Sequence, residues 1–251
     1  MIYGLYLSAT GIMTNAYRQD VIANNLANAD TTGFKRDIAS FKQRLTEQQE
    51  GRRTGGWSDP DLEGLGGGTL VMPTRVDFEQ GAIEQSGGPL DVAIEGGSFF
   101  AVDQGGQTRL TRDGRFQVNR DGFLVLPDGQ KVLDDKLRPI ALAADAPTTI
   151  DRSGQITQAG QVVARIGLFD VPDRAGLTKV GGNLLAYADP AQIRPASGTL
   201  HNGFLEGSNA DPTTELTELM DAQRQLEANA NMIRAQDATL QRLVNDVGKI
   251  S

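Results

Sequence analysis

The stretch Asn24-Asn25-Leu26-Ala27-Asn28-Ala29-Asp30-Thr31-Thr32-Gly33-Phe34-Lys35, NNLANADTTGFK in one-letter code, closes a run of helical periodicity that begins near the first residue. Upstream of it, Leu5, Ile12, Gln19 and Leu26 recur every seven residues, and Ala9, Ala16 and Ala23 follow the first three by four positions. Ile22 widens the stripe. That spacing predicts a helix over residues 3–30 with one packing seam, weakened locally by Gly11 and stopped at Gly33. Asn is a mediocre helix former, because its amide competes for backbone groups. Asn24 and Asn28 share a helix face and Asn25 flanks it. Such residues either line a solvated helix end or sit at a helix–helix seam, where a polar group fixes register at some cost in stability.

The far end of the chain carries the matching signal. Leu219, Leu226, Ile233, Leu240 and Val247 fall at a strict interval of seven, with Leu216, Gln223, Ala230, Asp237 and Val244 read as companions. Asp211-Pro212 suits a helix start, and Glu215 and Glu218 suit the positive end of its dipole. A helix over 212–247 would span roughly 54 Å at 1.5 Å per residue, and its four heptads are a coiled-coil signal. Gln223 and Asp237 are poor core residues, so the seam is incomplete for two helices alone.

Between these ends the period changes to two. Leu70–Met72, Asp91–Ile94, Phe99–Val102, Gly122–Leu126 and Val162–Phe169 read as strands. Asp113-Gly114, Asp121-Gly122, Asp128-Gly129 and Ser153-Gly154 read as turns, which predicts an antiparallel, hairpin-rich β domain. Ile94, Phe99, Phe100, Phe116 and Phe123 are its candidate core. Neighbouring strand residues face opposite ways, so Phe99 and Phe100 are not both expected inside. Residues 34–50 suit either a helical continuation or an extended arm. The segment 51–69 holds seven Gly, one Pro and Trp57, and reads as a connector. The expected fold class is α+β: long N- and C-terminal helices forming a coiled-coil-like layer, around a central β domain. The expected boundaries are 1–33, 34–75, 76–200 and 201–251.

Composition narrows function further. The chain has 251 residues, a formal net charge of -8 and no Cys. The acidic balance argues against nonspecific nucleic-acid binding, and thiol chemistry is excluded. No apolar run approaches 18 residues, so stable membrane insertion is not expected. MIYGLYLSATGIMTNAYRQD lacks the basic and apolar regions of a secretory signal. His201 is the single histidine. Its neighbours Ser208 and Asp211 lack the spacing of a nucleophile elbow, and a junction residue is the plainer reading. The Asp-Gly clusters do not follow the twelve-residue calcium loop. The glycine pairs do not form a dinucleotide loop. No catalytic residue, metal or cofactor is expected. Lys35-Arg36, Lys42, Arg44 and Arg52-Arg53 form a mildly basic stretch that suits an acidic neighbour or a solvated face equally.

Three segments in order carry a family resemblance. VIANNLANADTTGFKRD (21–37) resembles the N-terminal signature of the bacterial flagellar rod and hook family of axial proteins. PLDVAIEGGSFFAV (89–102) and TRDGRFQVNRDGFLV (111–125) are similar to its central β region, and NGFLEGSNADPTTELTELMDAQRQLEANANMI (202–233) to its C-terminal block. The resemblance implies a structural subunit without catalytic activity, located in the basal-body rod within the periplasmic space. It implies export by the flagellar type III apparatus without a cleaved signal peptide. It also implies terminal helices that pair in the inner layer of a hollow filament. The partners implied are neighbouring rod subunits, other axial proteins and the export apparatus. On this reading Leu5, Ile12, Leu26, Leu219, Leu226, Ile233 and Leu240 form the assembly seam. Asn24, Asn25, Leu26, Asn28, Thr32, Gly33 and Phe34 form the family motif, with the asparagines setting register between subunits. Length and the compact middle suit a rod protein over a longer hook subunit, and LDVAIEGGSFFAV and TRDGRF resemble rod proteins that carry an outer β domain; a proximal rod protein is the expected member, with a distal rod or hook-type subunit the near alternative. Two further classes stay open: a soluble monomeric binding module whose helix pair closes internally, and an enzyme in which His201 gathers two or more carboxylates.

Overall fold

A computed structural model describes residues 2–44, 68–143 and 146–247. Most of the glycine-rich connector, with Trp57 and Arg52-Arg53, lies outside the described residues. The chain folds as two compact units, each assembled from separated segments: Met1–Leu26, Asp37–Arg75 and Pro212–Ser251 in the first, Ala27–Arg36 and Val76–Asp211 in the second.

The first unit is built on helix α1 (Ile2–Ala27) and helix α2 (Pro212–Val247). Helix α2 has Pro only at its first position and no Gly along its length, so little in its sequence opposes a long uninterrupted helix. The shielded side of α2 is Glu215, Leu219, Ala222, Leu226, Asn229, Ile233, Gln236 and Leu240, in alternating steps of four and three. This corrects the companion row expected from sequence: Leu216, Gln223, Asp237 and Val244 are exposed, and Ala230 is half-buried. A heptad row of Leu and Ile marks one edge of a seam, and the partner decides on which side the other edge falls. The strands Asp37–Gln43 and Thr69–Val76 pair into a ribbon. Residues 37–43 are therefore an extended arm and not a continued helix, and Leu70–Met72 belong to this ribbon instead of the β domain. The ribbon lies along α1, with the Tyr17 and Phe41 rings edge-to-face at 6.3 Å.

In the second unit the strand Phe99–Gln104 is central, pairing with Gln107–Thr111, Lys131–Val132 and Leu168–Asp170. Phe99 and Phe100 are both fully buried, against expectation. They do face opposite ways, but both faces of the sheet are covered. Phe100 and Val102 pack with Val92, Ile94, Phe116 and Leu124. Phe99 and Ala101 pack with Leu110, Leu133, Phe169 and Leu185. The stretch 162–169 divides between the strands Gln161–Arg165 and Leu168–Asp170, which pair in different sheets. Phe123 is only half-buried, with the Lys131 ammonium 4.3 Å from its ring centroid. Gly122, Gly129 and Gly154 adopt φ of +79°, +89° and +82°, as their turns require. Beside them Asn119 Oδ1 accepts from the Asp121 and Phe123 amides, and Asp151 Oδ1 from those of Ser153 and Gln155. Asp113-Gly114 is different: a Cβ on Gly114 would stand 1.7 Å from the Val92 carbonyl oxygen, so that glycine serves close approach.

Burial on both faces sets the first expected outcome. Phe99→Ala and Phe100→Ala should each cost about 3–5 kcal/mol in urea unfolding followed by circular dichroism. A cost near zero for Phe99→Ala would mean that the second face is not a core.

Candidate functional site

Helices α1 and α2 meet along heptad rows that no apolar pattern marks. Gly4 faces Gln236, where a Cβ would stand 2.6 Å from the amide nitrogen, and Gly11 faces Asn229, at 2.8 Å by the same measure. One heptad further, Arg18 donates to Glu218 at 3.3 Å, and after another, Asn25 donates to Glu215 at 3.3 Å. As α1 numbers rise, α2 numbers fall, so the helices run antiparallel. Ala222, fully buried, lies between the Glu215 and Asn229 positions on α2. Leu5, Ile12 and Leu26, and Leu219, Leu226, Ile233 and Leu240, are all half-buried. The side chains left exposed include Tyr6, Leu7 and Met13 on α1, and Leu216, Met220, Met232, Leu243 and Val244 on α2.

The asparagine run divides its work. Asn24 is exposed, while Asn25 is 1% exposed. The Asn25 Nδ2 donates to the Asp37 carbonyl at 2.9 Å and its Oδ1 accepts from the Asp37 amide at 2.8 Å. One side-chain amide thus supplies both partners of a backbone residue, which needs a donor and an acceptor on one group. Asn25 therefore ties the last turns of α1 to the first residue of the ribbon and to Glu215 in the first turn of α2. Asn28 stands beyond the helix, where its carbonyl and Oδ1 accept from the Thr31 amide and hydroxyl.

The remainder of the motif is built into the second unit. Gly33 donates to the Glu206 carbonyl at 2.7 Å, has φ +69°, and leaves no room for a Cβ, which would meet the Arg112 carbonyl carbon at 2.5 Å. Gly33 is thus a seat for crossing backbone, not the cap of a helix that has already ended at Ala27. The Thr32 carbonyl accepts from Asn183 Nδ2. Phe34 lies under the Lys179 ammonium, 4.1 Å from its centroid, and Lys179 also donates to the Lys35 carbonyl. The Lys35 ammonium reaches Glu206 Oε1 at 2.6 Å, and Arg112 Nη1 reaches Oε2 at 2.9 Å, with every side chain of the triad at most 2% exposed. Three strand ends hang from this triad: Lys35 donates to the Glu79 carbonyl, Arg112 to the Gly96 carbonyl, and Glu206 accepts from the Gly81 amide. Asn209 completes the clasp, accepting from the Arg36 amide and donating to the Asp77 and Glu79 carbonyls. Burial pushes the Lys35 and Arg112 pKa values below their ordinary ranges, against the opposing pull of Glu206.

Lys35, Arg112, Glu206 and Asn209 were not singled out as site residues by periodicity. All four lie within or beside the quoted motifs, and none carries a spacing signal. The His201 Nε2 stands 2.8 Å from Glu95 Oε2 and its ring meets Phe204 edge-on. The Ser208 hydroxyl accepts from the Ala210 amide. The arrangement is a cross-strand contact with one carboxylate. Among the described residues, no group of three His, Asp or Glu side chains converges to hold a metal ion.

Three substitutions test these knots. Glu206→Gln leaves two buried cations without their counter-charge and should cost about 3–5 kcal/mol; Lys35→Met should cost less, because Arg112 still neutralises the carboxylate. Asn25→Asp strands the Asp37 carbonyl and sets a second carboxylate beside Glu215, with an expected loss of at least about 1–3 kcal/mol. Urea unfolding of each variant measures both, and equal stability of Glu206→Gln and the parent chain would remove the clasp from the account.

Comparison with known proteins places these segments. Residues 5–35 match the flagella basal body rod protein family, residues 93–164 the flagellar hook protein FlgE/F/G D1 domain, and residues 201–246 the flagellar basal body rod FlgEFG protein C-terminal family. The flagellar basal-body rod protein FlgF of Caulobacter vibrioides is 36% identical over 251 residues, covering 98% of each chain. FlgG of Bacillus subtilis is 33% identical over 270 residues, covering 98% of this chain and 99% of the relative. FlgG of Agrobacterium fabrum is 34% identical over 257 residues, covering 93% and 95%. With likeness of that order running through nearly the whole of both chains, this protein belongs to the flagellar basal-body rod proteins and is a structural subunit.

Proposed function

We propose that the chain polymerises through its terminal helices and ribbon to help form the torque-transmitting shaft of the flagellar basal body, with neighbouring rod and axial subunits as partners. The observation that carries this reading is the distribution of exposed apolar side chains. Scattered ones are ordinary on any surface. Here most belong to the helix-and-ribbon unit: Tyr6, Leu7 and Met13; Ile38, Phe41, Leu70, Val71 and Met72; Leu216, Met220, Met232, Leu243 and Val244. Such a concentration marks a contact surface. In the assembled shaft, α1 and α2 form a coiled-coil-like layer. The half-buried Leu5, Ile12, Leu26, Leu219, Leu226, Ile233 and Leu240 complete their burial there against neighbours. Asn24, on the exposed side of α1, provides a register contact between subunits, while Asn25 and Asn28 set register within the chain. Export proceeds through the flagellar export apparatus, without a cleaved signal peptide, to a periplasmic rod.

Within the rod, a FlgF-like, proximal position is favoured. FlgF relatives of Caulobacter vibrioides and Mesorhizobium japonicum both align over 251 residues, at 36% and 30%, whereas the FlgG relatives of Bacillus subtilis and Agrobacterium fabrum align over 270 and 257 residues at 33% and 34%; the alignment length supports this reading. A second reading, a monomeric module with an internally closed helix pair, draws support from the contacts between α1 and α2 in one chain. It leaves the exposed apolar surface without a use.

The test is Met13→Glu combined with Met232→Glu, supplied in place of the natural copy. The variant should keep the circular dichroism of the β unit and lose rod incorporation and swimming; normal swimming would sink the assembly role of this surface. Hydrogen exchange on the purified monomer gives a separate outcome. Residues 1–26 and 212–247 should exchange quickly beside a protected 76–206, whereas slow exchange at both ends of a confirmed monomer would favour the closed module.

A further inference from the structure

Asn202 is the only asparagine in the chain that is followed by glycine. Asparagine in that setting readily loses its side-chain amide, because glycine has no Cβ to hinder attack by its own backbone nitrogen. The Gly203 nitrogen bonds to Asn202 Cγ, the Cγ–Nδ2 bond breaks, and ammonia leaves with the proton that the Gly203 amide gave up. Water then opens the five-membered succinimide at either carbonyl, to aspartate or to isoaspartate. The fold exposes one reactant and restrains the other. Asn202 is an exposed side chain at the last position of the strand Thr199–Asn202, held opposite Val92. The Gly203 nitrogen is committed, donating to the Asp91 carbonyl at 2.8 Å, while the Gly203 carbonyl accepts from the Ser86 and Gly87 amides at 2.9 and 3.2 Å. Ring closure needs that nitrogen swung onto the same side as Cγ, which an extended strand backbone opposes, and it needs the bond to Asp91 broken. Gly203, at φ +75°, is also the single residue linking this strand to Phe204–Glu206, which pairs with Ile83–Gln85. Isoaspartate routes the main chain through one extra carbon beside that link. The added carbon displaces Phe204–Glu206 from its register, and with it the Glu206 carboxylate held by Lys35 and Arg112.

We infer that Asn202-Gly203 is a site of spontaneous covalent modification that folding closes. The unfolded chain deamidates there and the folded chain is protected. A chain that carries isoaspartate at 202 no longer rebuilds the Glu206 clasp, so time spent unfolded is converted into a permanent loss of folding competence.

The test ages the full chain in two arms, native buffer and guanidinium chloride, at one mildly alkaline pH and one temperature. Peptide mapping by mass spectrometry reads the mass gain at residue 202. Asp113, Asp121 and Asp128 also precede glycine, but they isomerise without a change in mass and do not contribute. Deamidation should run at least about tenfold slower in the native arm, where it waits on local opening of the corner. Equal rates in the two arms overturn the protection, and an unchanged mass in the denatured arm overturns the site. Chains aged in denaturant are then returned to buffer. The parent should fail to regain its native circular dichroism in proportion to its isoaspartate content, whereas Asn202→Gln aged in the same way should refold. Unaged Asn202→Asp should refold too, which separates a new charge at an exposed position from a lengthened main chain. Full refolding of the aged parent overturns the effect on the clasp, as does an equal loss in aged Asn202→Gln or a failure of Asn202→Asp to refold.

Discussion

A carboxylate with no exposed surface must be met by cations and donors where it lies, or it costs several kcal/mol. Glu206 is such a group, and its two partners are 171 and 94 residues away in sequence. Because ammonium and guanidinium bonds are short and directional, the pairing admits one arrangement of three distant segments. Lys35 carries residues 31–36 into place, Arg112 carries the end of the strand Gln107–Thr111, and Glu206 carries the chain about to enter α2. The backbone groups of Glu79, Gly81 and Gly96 are satisfied by the same three side chains. Replacing the triad with apolar groups would leave those backbone groups unpaired, so its value lies in specifying which strand ends converge and not in net Coulomb energy.

The helix pair follows a related rule. Its meeting row holds Gly, Arg and Asn against Gln, Asn, Glu and Ala, which is a poor source of apolar burial but a strict source of register. Amide side chains fit over glycines at two positions and nowhere else along that row. A slip of one heptad in one direction would set Asn229 against Arg18, a far bulkier neighbour than glycine. Within NNLANADTTGFK, Asn25 faces a backbone residue of its own chain, Thr32 to Lys35 face Glu206, Arg112 and Asn183, and Asn24 alone of the three asparagines is exposed.

Elements governed by a repeating period were legible in the sequence. The course of α2 over the described residues was readable, because thirty-six positions carry one period without a breaker. The α+β class and the turns at Gly122, Gly129 and Gly154 were readable for the same reason: their signals are local. What periodicity could not show was partner choice. The second edge of the α2 seam was misplaced because it is polar. Phe99 and Phe100 were divided between inside and outside because nothing local says that a second layer covers the sheet. Lys35 looked like surface charge, since one buried cation and one exposed cation are spelled alike. Phe123 was placed too deep, because aromatic alternation does not reveal that a lysine ammonium takes the outer face of the ring.

Polar register on the inside and apolar surface on the outside have a joint consequence for the proposed assembly. If the inner row of α1 and α2 were Leu and Ile, the monomer would gain most of its available burial at once and little would remain to drive association. With glycine and amides there, pairing within the chain is weakly held and geometrically exact in its register, while Met13, Met220, Met232 and Val244 keep their apolar area in water. In the proposed assembly, burying those side chains against neighbours would supply free energy at roughly 25 cal/mol per Å² of area removed from water. The inside of the helix pair sets where each helix lies, and the outside holds the apolar area on which the proposed assembly draws.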